Sequence, residues 1–196
     1  MSEYPKLIGL TGYAGSGKDL VAAFLGMVGY TRFGFADAVR QEVEASKDYP
    51  PCMPDHILQD WIAFNCEPEG AIWRKPLSPE GRRVLQWWGT EYRRKEDPDY
   101  WIKKISMDLV FRKPSVISDV RFLNEANWIE RWEGVIWRVE RPGLKSDGHQ
   151  SESECNFIKA DYTINNDGDL QHLKDQVCTA LEVFRDGSET TKSACD

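Results

Sequence analysis

Apolar residues fall in short blocks along the chain, and the blocks alternate between two periods. "KLIGLTG" (residues 6–12) is a continuous apolar run closed by glycine, the pattern of a buried strand, and "KDLVAAFLGMVG" (18–29) then repeats apolar positions at helical spacing up to a glycine stop. "YTRFGFAD" alternates aromatic and polar positions and predicts a second strand, while the charge spacing of "DAVRQEVEASKD" predicts a helix. Residues 49–79 hold many of the prolines and predict an irregular or short-helical insertion. Two helices broken at Asp97-Pro98 are expected over 79–112, because proline cannot continue a helical hydrogen-bond ladder. Beyond them the pattern predicts a strand in "PSVISDVRF", a helix in "LNEANWIERWEG", a strand in "VIWRVERPG", a polar segment, a short strand in "DYTINNDG" and a closing helix in "DLQHLKDQVCTALEVF". Alternating β and α elements imply an α/β fold, a mainly parallel sheet sandwiched between helices in three layers.

Composition narrows what such a sheet could serve. With 196 residues, 41% of them hydrophobic, the chain is long enough for one ordinary domain with a full core. A net charge of -7 argues against general affinity for nucleic acid, which rewards clustered Lys and Arg. The five cysteines are odd in number and scattered, as reduced thiols are, and Cys52 with His56 lacks the second pair a zinc site needs. No basic segment precedes an apolar stretch at the N-terminus, and no run approaches the roughly 18 apolar residues of a membrane span, so a cytoplasmic protein without membrane contact is expected.

Candidate chemistry begins at the end of the first predicted strand. Gly12, Gly15, Gly17 and Lys18 fit G-x-x-x-x-G-K between a strand and a helix, so backbone N–H groups of the loop, Ala14 and Ser16 included, can surround a phosphate while Lys18 reaches the β- and γ-phosphates. Asp19 stands where such loops usually carry Ser or Thr. A carboxylate 4 Å from a phosphate charge is repelled by roughly 4 kcal/mol at an effective dielectric of 20, so Asp19 needs a cation, and magnesium is the natural one. The alternative is that Asp19 favours the positive end of its helix. Asp119, after the strand "SVIS", is a second acidic candidate for the metal, and a helix-capping role is its alternative. Arg121 is spaced to return to the same side as Asp119 and hold a phosphate through both arms of its guanidinium, or else to pair with Glu125.

Six blocks in order, "GYAGSGKD", "FADAVR", "LQWWGTEYRR" with "DYW", "SDVRFLNEA", "VERPG" with "HQSE", and "TINNDG", resemble the viral and phage deoxynucleoside monophosphate kinase family over residues 7–173. In that family the loop reads G-K-D-T, so Asp19 is a family feature, whereas Leu20 departs from the pattern by replacing the threonine. The resemblance implies a P-loop fold with a helical substrate-binding insertion and a lid. The activity it implies is transfer of the ATP γ-phosphoryl group to a deoxynucleoside monophosphate with Mg2+, in bacteriophage nucleotide supply within the host cytoplasm. The catalytic group is then Lys18, Asp19 and Arg121, with Asp19 and Asp119 at the metal. Gly12, Ala14, Gly15, Ser16, Gly17, Lys18, Arg141 and Asn165 would serve ATP. Asp37, Gln86, Trp88, Thr90, Glu91, Arg94, Asp119 and Arg121 would serve the monophosphate, although helical spacing must turn one of Trp87 and Trp88 to the core. Arg138 is the alternative to Arg141, Asn166 could share the adenine contact with Asn165, and His149 and Glu152 fall in the lid-like segment.

The expected organisation is one kinase domain over 1–188, with the insertion at 49–112, the lid at 142–160 and a flexible tail at 189–196. Small-molecule substrates are the expected partners, and a homodimer is left open. Two other readings share the loop. One is another small-molecule kinase, resembling dephospho-coenzyme A kinase or phosphomevalonate kinase; an alcohol acceptor needs a base, which Asp37 would supply. The other is a nucleotide-dependent switch or motor, disfavoured by size and acidity.

Overall fold

A computed structural model describes residues 4–46, 48–65, 78–105, 113–144 and 154–186. The chain divides into two compact units, one running up to Phe35 and resuming at Ile105, the other being Ala36–Lys104.

The first unit is built on five parallel strands: β1 (Leu7–Thr11), β2 (Thr31–Phe33), β3 (Ser115–Ile117), β4 (Val135–Glu140) and β5 (Tyr162–Asn165), in the spatial order β2-β3-β1-β4-β5. Helix α1 (Lys18–Met27) follows β1, and α6 (Leu123–Arg131) and α7 (Leu170–Asp186) follow β3 and β5. Side chains alternate across a strand, and here both faces are covered. Ile8, Leu10, Val116, Trp137, Val139 and Ile164 cluster with Val21, Ala22 and Leu25 of α1 and with Leu173, Val177 and Ala180 of α7. The opposite face of β1 meets α6, where a Cβ placed on Gly9 would lie 2.6 Å from Ile129. The sheet is therefore the middle of three layers, as the alternating pattern predicts. Its central strand is β1, so the loop after β1 opens at the middle of the sheet's C-terminal edge, where ligands bind in open α/β sheets.

The second strand is shorter than its aromatic alternation suggests. β2 ends at Phe33, and Phe35 already begins α2 (Phe35–Ala45), because the Asp119 carboxylate accepts the Phe35 N–H at 2.8 Å and closes the helix start.

The second unit holds most of α2, then α3 (Asp55–Asn65), α4 (Pro79–Gln86), a π-helix (Trp87–Arg94) and α5 (Tyr100–Lys104). Ser78 caps α4 by accepting the Gly81 N–H at 3.0 Å, and Arg83 grips Asp60 of α3 through both arms at 2.6 and 2.8 Å. The expected break falls at Asp97-Pro98, but the widening from α to π at Trp87 has no signature in the pattern. It turns both tryptophans inward, Trp87 to 5% exposure and Trp88 to 2%, where the spacing alone calls for one. Trp87 stacks on Tyr92 with ring centroids 5.5 Å apart, and Trp101 donates its indole N–H to the Gly89 carbonyl at 2.8 Å.

Glu42 of α2 organises this unit. Its carboxylate accepts from the Trp88 indole at 3.1 Å, Arg93 at 2.5 Å and the Tyr100 hydroxyl at 2.6 Å. Burial pushes the Glu42 carboxyl up, but the three donors outweigh it and hold the group below the usual range. Its folded pKa is thus depressed, so its stabilisation is present above the unfolded value and is lost as pH falls toward and below it. Glu42→Ala leaves those donors without their acceptor and is expected to cost about 3 kcal/mol, or roughly 6–12 °C in Tm for a chain of this length. Scanning calorimetry at pH 7 and pH 4 measures it, the deficit being smaller at pH 4; an unchanged Tm at pH 7 would refute the assignment.

Candidate active site

The strand β1 ends at Thr11, and the loop to α1 turns through three glycines with positive φ: Gly12 at 132°, Gly15 at 80° and Gly17 at 107°. Residues with a Cβ avoid these angles, which is why glycine recurs through the loop. Lys18 opens α1 and folds back beneath the loop. Its Nζ donates to the carbonyls of Gly12 and Tyr13, both at 2.7 Å, and lies 3.5 Å from the Ser16 hydroxyl.

Lys18 is only 8% exposed. Burial first, and the Arg121 guanidinium second, lower its pKa from 10.5 to about 8; Asp119 and Asp19 oppose that shift. Three residues that the sequence singles out, Asp19, Asp119 and Arg121, therefore lie within electrostatic reach of the loop lysine. Asp19 occupies the first turn of α1, largely exposed, 4.0 Å from Arg32. Asp119 sits in the turn after β3 and caps α2 rather than the helix that follows it. Arg121 is held through its backbone: the buried Glu125 accepts the N–H groups of Arg121 at 2.8 Å and Phe122 at 3.1 Å at the start of α6. Glu125 thus meets Arg121 through the main chain, and that contact fixes where the Arg121 side chain begins.

Among the described residues no three His, Cys, Asp or Glu side chains gather as a metal cage. The donor set near Lys18 is two carboxylates. Magnesium takes oxygen ligands, accepts one or two protein carboxylates and completes its shell from water and substrate phosphates, so the carboxylates of Asp19 and Asp119 are of the kind that ion takes.

A cavity of about 300 Å3 adjoins the loop, lined by Gly12, Tyr13 and Ser16 on one side and Arg138, Glu140 and Arg141 at the end of β4 on the other. Of the two arginine candidates there, Arg138 donates to the carbonyls of Cys155 at 3.1 Å and Ile158 at 2.6 Å, a clamp on the chain before β5. Arg141 stands on the rim. Asn165 has its backbone N–H and carbonyl tied to the Gln176 side chain at 2.7 and 2.9 Å, whereas Asn166 reaches the loop itself, donating to the Ser16 carbonyl at 2.8 Å.

The remaining candidates belong to the second unit. Gln86, Thr90 and Arg94 recur every four residues and share one half-buried face, with Glu91 exposed beside it. Trp88, expected on an acceptor pocket, has its ring enclosed and its N–H on Glu42; the widened helix commits it to packing. Asp37 lies in the first turn of α2 with its Oδ1 2.7 Å from Arg40. His149, Glu152 and the rest of 145–153 in the lid-like segment, parts of the insertion and the tail lie outside the described residues. The sequence offered no sign of Glu42, which sits among five other charged or amide positions in "RQEVEASKD" and reads there as solvated.

No family model matches the chain. It is 28% identical over 198 residues, covering 90% of this chain and 96% of the relative, to a protein of Acanthamoeba polyphaga mimivirus described as a "putative deoxynucleotide monophosphate kinase". Among solved structures, dephospho-CoA kinase from Campylobacter jejuni matches 93% of this chain and 98% of its own with a TM-score of 0.50 at 10% identity. Shikimate kinase from Aquifex aeolicus matches 90% and 96% with a TM-score of 0.47 at 16% identity. The likeness to the first of these structures is one of fold: the chain has the parallel α/β sandwich of P-loop kinases. No helix among the described residues is long and apolar enough to cross a membrane.

Proposed function

We propose that the chain is an ATP-dependent kinase whose acceptor is a deoxynucleoside 5′-monophosphate, yielding ADP and the diphosphate. The observation that carries this reading is the buried Lys18 beneath a three-glycine loop, with Arg121, Asp119 and Asp19 all acting on its charge. Such a group of fixed charges suits the spreading negative charge of a transferring phosphoryl group, where catalysis is mostly positioning and electrostatic stabilisation. The 28% identical viral relative supports the acceptor class, as do the ordered sequence blocks.

The acceptor phosphate has a second pKa near 6, so its attacking oxygen is already ionised at pH 7 and no protein base is required. Lys18 leaves its two loop carbonyls for the β- and γ-phosphates. Arg121 orients the monophosphate, its planar fork matching the phosphate oxygens, and Arg94 is the second unit's candidate for the same chemistry. Gln86, Thr90 and Glu91 present hydrogen-bonding groups to the acceptor base, and Arg141 faces the donor nucleotide at the cavity rim. Asp19 and Asp119 would hold magnesium, which supplies neutralisation of phosphate charge. An alcohol acceptor would need Asp37 as a base; with Oδ1 held by Arg40, that carboxylate suits an ordering role better.

Coupled measurement of ADP release with each deoxynucleoside monophosphate, with shikimate, with dephospho-coenzyme A and with no acceptor tests the proposal. ADP is expected to form in step with a deoxynucleoside diphosphate. Release that ignores the acceptor, or that answers only to an alcohol, overturns it. Within this reading, Asp19→Asn removes the charge while keeping the size, so half-saturating magnesium should rise several-fold at fixed ATP, with manganese restoring part of the rate. A purely helix-dipole role for Asp19 predicts a stability loss of about 0.3–1 kcal/mol and superimposable magnesium curves.

A further inference from the structure

Asn166 stands one residue past β5, and the sheet fixes its backbone: its N–H donates to the Glu140 carbonyl at 2.7 Å, one step beyond the β4–β5 pairing of Glu140 with Asn165. From that point its side chain crosses to the glycine loop, 150 positions away in sequence, and donates Nδ2–H to the Ser16 carbonyl at 2.8 Å. A carbonyl only accepts, so the amide must present its NH2 half there.

The peptide joining Ser16 to Gly17 is planar, and in a trans peptide the C=O and N–H point to opposite sides. Anchoring the Ser16 oxygen on Asn166 therefore aims the Gly17 N–H the other way, away from Asn166. Gly17 is the N-cap of α1 with φ 107°, and no side chain caps the helix there. A Cβ at Gly17 would lie 2.5 Å from Asn166 Nδ2, so the amide fills the space that a side chain would need. The loop-to-helix turn is thus held from outside the loop, by the strand at the edge of the sheet.

We propose that Asn166 is a positioning residue for phosphate binding: by fixing the Ser16–Gly17 peptide it pre-organises the Gly17 N–H and the start of α1 toward the β-phosphate, rather than reading the adenine. The proposal rests on the kinase reading above, and the test separates the two failures.

Asn166→Ala, Asn166→Asp and Asn166→Leu are measured by calorimetry against ATP and against inorganic pyrophosphate, with melting temperatures alongside. Asparagine and aspartate are nearly the same size, so Asn166→Asp keeps the packing while setting a carboxylate against a carbonyl oxygen beside the phosphate site. Loss of one hydrogen bond predicts that Asn166→Ala weakens both ligands by roughly three- to tenfold, and Asn166→Asp should weaken both further, with the Michaelis constant for the monophosphate unchanged. A packing role predicts wild-type binding from Asn166→Leu, which keeps the size with neither donor nor charge, and an adenine contact predicts weakened ATP with unchanged pyrophosphate; either result overturns the proposal while leaving the kinase reading intact. If Asn166→Ala proves too unstable to measure, the two variants of similar size decide. A wild-type protein that binds neither ATP nor pyrophosphate removes both.

Discussion

Lys18→Ala is expected to lower kcat by roughly 10²–10³, the usual effect of deleting one fixed group that stabilises developing transition-state charge. Among the described residues the buried ammonium is held by its own loop, through Gly12, Tyr13 and Ser16, and in the proposed reaction it exchanges the two carbonyls for phosphate oxygens. Single-turnover rates at saturating ATP measure the loss, and a variant within about threefold of wild type would show that the loop is not catalytic. The depressed pKa adds a second readout. In the free protein Lys18 sits near 8, because burial and Arg121 disfavour its charge. Phosphates reverse that balance, so ATP binding at about pH 8.5 should take up a proton, seen as a binding enthalpy that depends on the buffer's ionisation enthalpy. Lys18→Ala should abolish that uptake. The same shift fixes a stability trend: the unfolded state holds the lysine proton up to 10.5 and the folded state only to about 8, so this group's contribution to stability rises with pH between those values.

Much of this site is legible in the sequence because its chemistry is local. The loop from Gly12 to Lys18 is contiguous, follows a run of apolar residues and precedes a helical one, so its place between β1 and α1 can be read from spacing. Asp119 and Arg121 are also readable, since a strand end places them at the sheet's C-terminal edge. What was not legible depends on distant chain segments. The Asn166 contact with Ser16 spans 150 positions, and nothing in "TINNDG" distinguishes an amide that holds a loop from one that forms a turn. Trp88 shows the limit of periodicity: the helical repeat requires only one of two adjacent tryptophans in the core, and both are buried where the chain enters the π-helix. Glu42 is hidden for a related reason. Its partners, Trp88, Arg93 and Tyr100, lie 46, 51 and 58 positions along the chain, so no pattern local to α2 can tell it from its solvated neighbours.

Replacing glycine within the loop should expose how unequal its three positions are. Gly12→Ala adds a Cβ 2.3 Å from the Val139 carbonyl oxygen, at a φ of 132° that a side chain rarely adopts. Neither partner can retreat. Val139 pairs with Ile164 of β5, and the residue before it, Arg138, pairs with Thr11 of β1, so relief would break the sheet on one side or the other. Gly15→Ala meets only Leu144, at 3.9 Å, and carries a φ of 80° near the left-handed region. Its cost is therefore backbone strain alone, about 1–2 kcal/mol. For a chain of this length that corresponds to a fall in Tm of roughly 2–8 °C, whereas strain plus a backbone clash at Gly12 should exceed about 3 kcal/mol and lower Tm by more than about 6 °C. Binding should follow the same order, because Gly12 also supplies a carbonyl to Lys18 and lines the cavity beside the loop. Paired melting curves with and without ATP measure both effects: Gly12→Ala should lose the ATP-induced rise in Tm, and Gly15→Ala should keep part of it. Equal Tm values for the two variants would mean that the loop moves freely against β4, and that the contact with Val139 does not constrain it.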